Sequence, residues 1–268
     1  MSVADQINRI KTNIANTYTA AQAKGATMPQ TQNSDNLAAC VQSITTGGGG
    51  GGTQFGLTAE QVLGTLDSEG NLTYPTLPSI TFSGLKSISD SAFIHKFSSR
   101  TFEDGASVSF PDLTTVGIGG LDHCFFICTS LTSVDLSALM SVGNNGLSGC
   151  FSSCEQLTSV DLSVLTSVGN NGLSSCFAGC GSLTSVKLPA LTSVGHDGLN
   201  SCFSEDPLTT ISFPALTDVQ TNSFENCFAD CTALTEIHFR ADMQAAIEAM
   251  TGYADKWGAT GATIYFSL

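Results

Sequence analysis

The chain has 268 residues, enough to bury a sizeable core in one large domain or two small ones. Charged residues make up 12% against 41% hydrophobic, and the formal net charge is −14, with fourteen acidic residues and one basic residue, Lys187, between Thr101 and Phe239. Such a surface repels a phosphate backbone and anionic lipid, which leaves nucleic acid and membrane out of the expected partners; no stretch approaches the roughly 18–20 continuous apolar residues of a membrane span.

The chain begins MSVADQINRIKTNIANTY, where Val3, Ile7, Ile10 and Ile14 recur at helical spacing. A turn at Lys24-Gly25-Ala26-Thr27-Met28-Pro29 ends that helix, and Ser34 or Asp35 caps a short second one with Leu37, Val41 and Ile44 inward. Residues 1–46 therefore read as a small α-helical hairpin, which the resemblance given below makes an attachment module. Val3, Ile7, Ile10, Ile14, Thr17 and Ala21 fall on alternating four- and three-residue steps. Isoleucine at both core positions favours trimers. Two readings stand: a homotrimer through residues 3–21, or one amphipathic face folded against the second helix. The segment lacks the apolar core and cleavage site of a secretory signal, so the expectation is a chain that does not take the general secretory route and is assembled in a reducing compartment. The phrase KGATMPQTQNSDNLAACVQSI resembles a module at the start of tail-associated structural proteins of phages and prophages from gut Firmicutes, and ADKWGATGATIYF resembles the end of such proteins. This resemblance implies virion or tail components as partners of the N-terminal module, and a place in the phage tail after assembly in the bacterial cytoplasm.

Six consecutive glycines, residues 47–52, form a flexible linker and a domain boundary. In residues 53–79, two short apolar runs flank Asp67-Ser68-Glu69-Gly70-Asn71 in VLGTLDSEGNLTYP, a hairpin signal and the expected N-terminal cap.

From residue 80 to 239 the sequence repeats itself. LTSVDLSALMSVGNNGLSGCFSSC (from Leu131), LTSVDLSVLTSVGNNGLSSCFAGC (from Leu157), LTSVKLPALTSVGHDGLNSCFSED (from Leu183) and LTTISFPALTDVQTNSFENCFADC (from Leu208) are successive copies. The equivalent residues Ile80, Val108, Val134, Val160, Val186, Ile211 and Ile237 are separated by 28, 26, 26, 26, 25 and 26 positions. A unit of about 26 residues cannot close its own core, so each must bury its apolar positions against its neighbours. The expected fold is a β-rich solenoid with short strands joined by short helical or 3₁₀ turns. In the unit at Leu131, the inward candidates are Leu131, Val134, Leu136, Leu139, Val142, Leu147 and Phe151, with Val134-Asp135-Leu136 alternating as a strand does. Seven such strands at about 4.8 Å give a stack of roughly 30 Å. Residues 240–268 read as a C-terminal cap: a helix with Met243, Ala246, Ile247 and Met250 on one face, the single Trp257, and a strand-like segment from Ala262 to Phe266.

Phe151-Ser152-Ser153-Cys154, then Leu157-Thr158-Ser159-Val160, and Leu188-Pro189-Ala190-Leu191-Thr192-Ser193-Val194-Gly195 resemble the cycle of BspA-type leucine-rich repeats. The likeness covers about Ile80 to Phe239 and departs from the usual pattern in the extended GLSSCF segment. It implies a surface protein that binds other macromolecules.

The cysteines pair at a spacing of four: Cys124/Cys128, Cys150/Cys154, Cys176/Cys180 and Cys227/Cys231, while Cys202 has Asp206 in its partner's place. A structural zinc needs four converging ligands, a nucleophile is needed once per site, and a disulfide within one pair needs a geometry that a tight turn does not supply; bonds between neighbouring repeats stay open as an alternative, disfavoured by a reducing compartment. A ladder of small buried thiols, reduced and without metal, explains the recurrence directly. Cys40 lies outside that ladder. Glu205-Asp206-Pro207 reads as a surface loop. His123 beside Cys124 is not a dyad, since neighbours in a strand or turn point apart, and the sequence carries no motif for a cofactor or a catalytic centre. Asp135 and Asp161 stack at one repeat position, but Lys187 takes the next rung, which suits a solvated row rather than a calcium cage.

What remains is the surface. The outward strand positions Ser133, Asp135, Ser159, Asp161, Ser185, Lys187, Ser212, Glu236 and His238 form one candidate binding face. The turn tips Asn144, Asn145, Asn170, Asn171, His196 and Asp197 form another. Both suit a protein or a cell-surface glycan receptor, although the rows lack the aromatic platforms that usually accompany sugar binding. The sequence thus reads as a non-enzymatic recognition or adhesion protein: a phage tail-fibre or receptor-binding accessory protein, or alternatively a bacterial cell-surface adhesin.

Overall fold

The computed structural model describes residues 71–267 together with Leu57, Gln61, residues 64–67 and Glu69. The helical hairpin expected at 1–46, its trimer seam and the glycine run lie outside the described residues. The chain divides into two compact units, residues 1–75 and 76–268.

In the first unit, β1 (Thr65–Leu66) and β2 (Leu72–Thr73) pair antiparallel, Thr65 opposite Thr73. The turn between them is closed by Asp67, whose Oδ1 accepts the backbone N–H groups of Glu69 and Asn71 at 2.9 and 2.8 Å. A short acidic side chain that reaches its own backbone two residues on is the reason aspartate starts such turns.

The second unit is a parallel β-solenoid with two strands per coil. The first strands are β3 (Ile80–Thr81), β5 (Ser107–Ser109), β7 (Ser133–Asp135), β9 (Ser159–Asp161) and β11 (Val186–Lys187), which form one five-stranded sheet. The second strands are β4 (Ser87–Ile88), β6 (Thr115–Val116), β8 (Ser141–Val142), β10 (Ser167–Val168), β12 (Ser193–Val194) and β14 (Asp218–Val219), a six-stranded sheet. A third sheet holds β13 (Thr210–Phe213), β15 (Glu236–Phe239) and β16 (Thr263–Phe266). β13 packs against β11 and carries on the first column of strands. The ladder breaks between them where the corner is one residue shorter, Asp206-Pro207-Leu208 against Cys180-Gly181-Ser182-Leu183. The second column of strands is not among the sequence expectations, which placed one strand in each repeat. β16, expected inside a cap, pairs in parallel with β15 and adds a further rung to the face.

The segment after each second strand, expected as a short helical or 3₁₀ turn, is instead a ribbon of overlapping reverse turns. In one coil the N–H groups of Asn145, Leu147, Gly149, Phe151 and Ser153 donate to carbonyls of the next coil, at Asn170, Gly172, Ser174, Cys176 and Ala178. The intervening N–H groups of Ser148, Cys150, Ser152 and Cys154 donate three residues back. Every fourth residue has a left-handed backbone: Asn145 (φ 55°), Gly149 (55°) and Ser153 (58°), then Asn171, Ser175 and Gly179 in the next coil. A helix turns all its N–H groups onto itself. The left-handed residues turn half of them toward the neighbouring coil, and Asn and Gly tolerate that conformation best.

The core is a set of columns. All seven inward candidates of the unit at Leu131 are buried. Phe97, Phe125, Phe151, Phe177, Phe203 and Phe228 stack ring on ring at 5.3–6.2 Å, within 9° of parallel. Threonine of the LTS motif links the coils: Thr132, Thr158 and Thr235 donate their hydroxyls to the carbonyls of Ala106, Thr132 and Thr209 at 2.9–3.2 Å. Thr114, Thr166, Thr192 and Thr217 do the same along the second sheet.

At the C-terminal end, a 3₁₀ turn (Ala241–Met243) and a five-residue helix (Gln244–Glu248) bury Met243 and Ile247, with Met250 just beyond; Ala246, expected on the same face, is exposed. Trp257 is buried against Phe224 and Phe239. Its indole N–H donates to Thr251, and its carbonyl accepts the Phe228 N–H at 3.0 Å. The last phenylalanine of the ribbon thus finds its partner in the terminal segment.

Phe177, fully buried and stacked on both sides, is a position where truncation leaves a large hole. Phe177→Ala is expected to lower the unfolding free energy by about 3–5 kcal/mol, whereas Ser141→Ala on the outer surface stays within about 0.5 kcal/mol. Urea denaturation followed by circular dichroism measures both.

Candidate recognition surface

The outward residues of the first and third sheets stand in two columns. One runs Ser107, Ser133, Ser159, and after Ser185 continues as Thr210, Glu236 and Thr263. The other runs Ser109, Asp135, Asp161, Lys187, and then Ser212, His238 and Tyr265. The structure therefore brings together the nine strand candidates Ser133, Asp135, Ser159, Asp161, Ser185, Lys187, Ser212, Glu236 and His238 on one face. Asp161, Lys187 and Ser212 are exposed, and Asp135, Glu236 and His238 are half-buried.

Their environments differ. Asp135 accepts hydrogen bonds from the Ser109 hydroxyl at 2.8 Å and from the backbone and hydroxyl of Ser137 at 3.0 and 2.7 Å. Burial works against its ionisation, but these hydrogen bonds outweigh burial and hold the carboxyl below the ordinary carboxylate value. Asp161 accepts only the Ser163 N–H among the bonds at this position, 2.9 Å, and no Ser109 equivalent sits on the rung before it, which carries Asp135. Glu236 Oε2 lies 3.0 Å from His238 Nε2, and the His238 ring stacks on Tyr265 with centroids 4.9 Å apart and planes 14° from parallel. Tyr265 is 39% exposed. An aromatic ring therefore does stand on this face, contrary to the sequence expectation. The signal was present in the register of three phrases, Thr-Ile-Ser-Phe, Glu-Ile-His-Phe and Thr-Ile-Tyr-Phe, which end in β13, β15 and β16.

The turn-tip candidates form a separate group with internal duties. Asn144 Oδ1 accepts the Asn170 N–H at 2.9 Å, and Asn170 Oδ1 accepts the His196 N–H at 3.0 Å, so these side chains stitch coil to coil. Asn145, Asn171 and Asp197 occupy left-handed positions, φ 55°, 52° and 54°. His196 Nδ1 contacts Asp197 Oδ2 at 2.6 Å. The tips are thus constrained by the turn ribbon, whereas in the strand columns Asp161, Lys187 and Ser212 make no side-chain hydrogen bond to another coil among those described.

All nine described cysteines are free and buried. In the outer column, Cys128, Cys154, Cys180 and Cys231 donate their thiols to the carbonyls of Phe97, Phe125, Phe151 and Phe203 at 2.8–3.3 Å. Burial pushes the thiols well up, to about 12 for Cys128 and Cys231, which disfavours the nucleophilic thiolate. His123 stays half-exposed and bonds Asp122, while Cys124 is buried. Among the described residues no three His, Cys, Asp or Glu side chains converge as a metal site would require. Nor is any described helix long and apolar enough to cross a membrane.

Asp206 corrects the sequence reading of a surface loop. Its residue is 1% exposed. It takes the place of the outer cysteine, and its Oδ1 accepts the Cys180 N–H at 2.8 Å while Oδ2 has no hydrogen-bond partner. Burial pushes its pKa up to about 9, against the Cys180 hydrogen bond, which lowers it; the Glu205 charge adds a further rise.

A model of the BspA type leucine rich repeat region matches in six copies, over residues 87–228 and 151–250. The chain belongs to the BspA-type leucine-rich repeat family. No curated protein matches the chain. Among solved structures, a leucine-rich repeat protein from Bacteroides ovatus ATCC 8483 is 15% identical and covers 74% of each chain, with a TM-score of 0.19. The family assignment rests on the repeat match.

The buried acid fixes a pH dependence. The folded pKa of Asp206, about 9, lies above the ordinary 3.8, so between these values the folded chain holds a proton that the unfolded chain releases. Its contribution to stability is fully present below about pH 4 and is lost as the pH rises toward 9. Asp206→Cys is expected to flatten that slope and to raise the melting temperature at pH 8 more than at pH 5, as thermal melts across pH will measure. Ellman titration is expected to find ten thiols in the denatured, unreduced chain, as the sequence holds ten cysteines, and slow reaction of the ladder thiols in the folded one.

Proposed function

We propose that this chain is a recognition protein whose partner is read by the outward face of the first and third sheets. The observation that carries this reading is a contrast between columns. The inward column is Ile80, Val108, Val134, Val160, Val186, Ile211 and Ile237, all apolar and buried. The outward column one position on is Thr81, Ser109, Asp135, Asp161, Lys187, Ser212 and His238, which changes size, charge and hydrogen-bonding at nearly every rung. On the second sheet the outward column is uniform, Ser87, Thr115, Ser141, Ser167 and Ser193, before Asp218. A solenoid with a fixed core and one varied face has the architecture of a surface that discriminates among ligands.

The partner class that fits is a protein or a cell-surface glycan. The acidic surface disfavours nucleic acid and anionic lipid and accelerates association with basic surfaces. Family membership supports an adhesin-like role at a bacterial cell surface. A virion-tail role is a second reading, supported by the likeness of residues 24–44 to the start of phage tail proteins. In that reading the N-terminal module holds the tail and the solenoid faces the receptor. Mass spectrometry of purified virions separates the two, since a tail component must be found in the particles.

Binding of the full-length chain to bacterial and host cell envelopes is expected to fall at least about tenfold with the charge reversals Asp161→Lys and Lys187→Glu, a loss of the size seen when interfacial charges are inverted. Ser167→Lys on the second sheet is expected to leave it unchanged. Equal loss from both sheets, measured by surface plasmon resonance, removes the first sheet from the recognition role.

A further inference from the structure

The C-terminal end of the recognition face differs from the rest of it. Earlier rungs carry short polar or charged side chains, but β15 and β16 bring Glu236, His238 and Tyr265 side by side. His238 lies flat under the Tyr265 ring, 4.9 Å away and 14° from parallel, and Glu236 holds the imidazole at 3.0 Å. His238 is the sole ring contact of Tyr265 among the described residues. The tyrosine is thus fixed in plane from one side and 39% exposed. Two residues before it on the same strand, Thr263 also faces outward. Thr263 lines a recess of about 260 Å³ together with Tyr253, Ala254, Lys256, Ala262 and Ile264.

We propose that Tyr265, His238 and Glu236, with Thr263 in the wall of the adjoining recess, form a saccharide subsite. The proposal rests on the recognition reading and names the ligand chemistry of one end of that face. A pyranose ring offers an apolar face of C–H groups edged by hydroxyls. An immobilised aromatic ring takes the C–H face, because its π-cloud is negative and its flat surface matches the ring. The edge hydroxyls require acceptors and donors close by, which the Glu236 carboxylate and the Thr263 hydroxyl provide. The imidazole backing keeps the tyrosine from rotating away, so little side-chain entropy is lost on binding. The alternative occupant is a lysine or arginine side chain of a protein partner, drawn by the same ring and carboxylate. Lys256 in the wall of the same recess repels such a cation and favours the neutral sugar.

The test is saturation-transfer NMR on the full-length chain with methyl glycosides of glucose, galactose, mannose and N-acetylglucosamine, alongside an oligolysine peptide. At least one glycoside is expected to receive saturation at its ring protons. Tyr265→Ala is expected to weaken that binding by up to about tenfold, the worth of one stacking contact, and Tyr265→Phe to keep most of it. Glu236→Gln, which leaves the ring stack in place, is expected to weaken it as well and serves if Tyr265→Ala does not fold. Saturation of no glycoside overturns the proposal, as does transfer unchanged in Tyr265→Ala, or an oligolysine response lost in Tyr265→Ala without any sugar response. If envelope binding by the wild-type chain persists while no glycoside binds, the subsite alone fails. If envelope binding is also absent, the recognition reading fails with it.

Discussion

Each described coil of the solenoid leaves its strand N–H groups and alternate N–H groups of its ribbon unsatisfied within itself, and the neighbouring coils must accept them. In the strands this is ordinary parallel pairing. In the ribbon it is achieved by left-handed residues at every fourth position, which turn alternate peptides outward along the stack. A buried N–H without an acceptor costs about 1–3 kcal/mol, so every coil fixes the backbone of the next with a precision set by some five ribbon bonds and the strand ladder. The rest of the molecule follows from that constraint. Side chains at equivalent positions must coincide from coil to coil, which turns phenylalanine, cysteine and threonine into columns.

The columns do different work. Phenylalanine rings fill the interior and exclude water. Threonine hydroxyls bind the preceding coil's carbonyl at the surface edge of the strands. Cysteine sits where a small, weakly polar group is needed, apolar enough for burial and able to donate to one carbonyl. Asp206 shows the tolerance of that position. A carboxyl fits where a thiol does, yet the low-dielectric surroundings favour its neutral form, and the coil that carries it is also the one with the shortened corner and the break between β11 and β13. Irregularity is concentrated at one rung rather than spread along the stack.

Because the columns hold the coils so firmly, outward strand positions other than Asp135, which binds Ser109 and Ser137, are released from holding coil to coil. Asp161, Lys187 and Ser212 can change without disturbing the ladder, whereas Asn144 and Asn170, equally exposed, cannot, since their side chains accept backbone N–H groups of the next coil. Exposure alone does not separate these two groups. The direction of the hydrogen bonds does, and it favours the strand face over the turn tips as the recognition surface.

The sequence by itself determined the period, the inward column from Ile80 to Ile237, the burial of Phe151 and its cysteine neighbours, and the solenoid class, because a repeat of about 26 residues that cannot close its own core has few other ways to bury apolar side chains. Only the tertiary structure decided the second column of strands, since two-residue strands such as Ser141–Val142 are too short to show alternation. Only it revealed the ribbon, whose φ values depend on acceptors in another coil, and the burial of Asp206, which local polarity argued against. It also placed Tyr265 on His238. That contact joins residues 27 positions apart in sequence, and it exists because β16 continues a ladder that the composition of the terminal segment, with its helix, tryptophan and glycines, disguised as a separate cap.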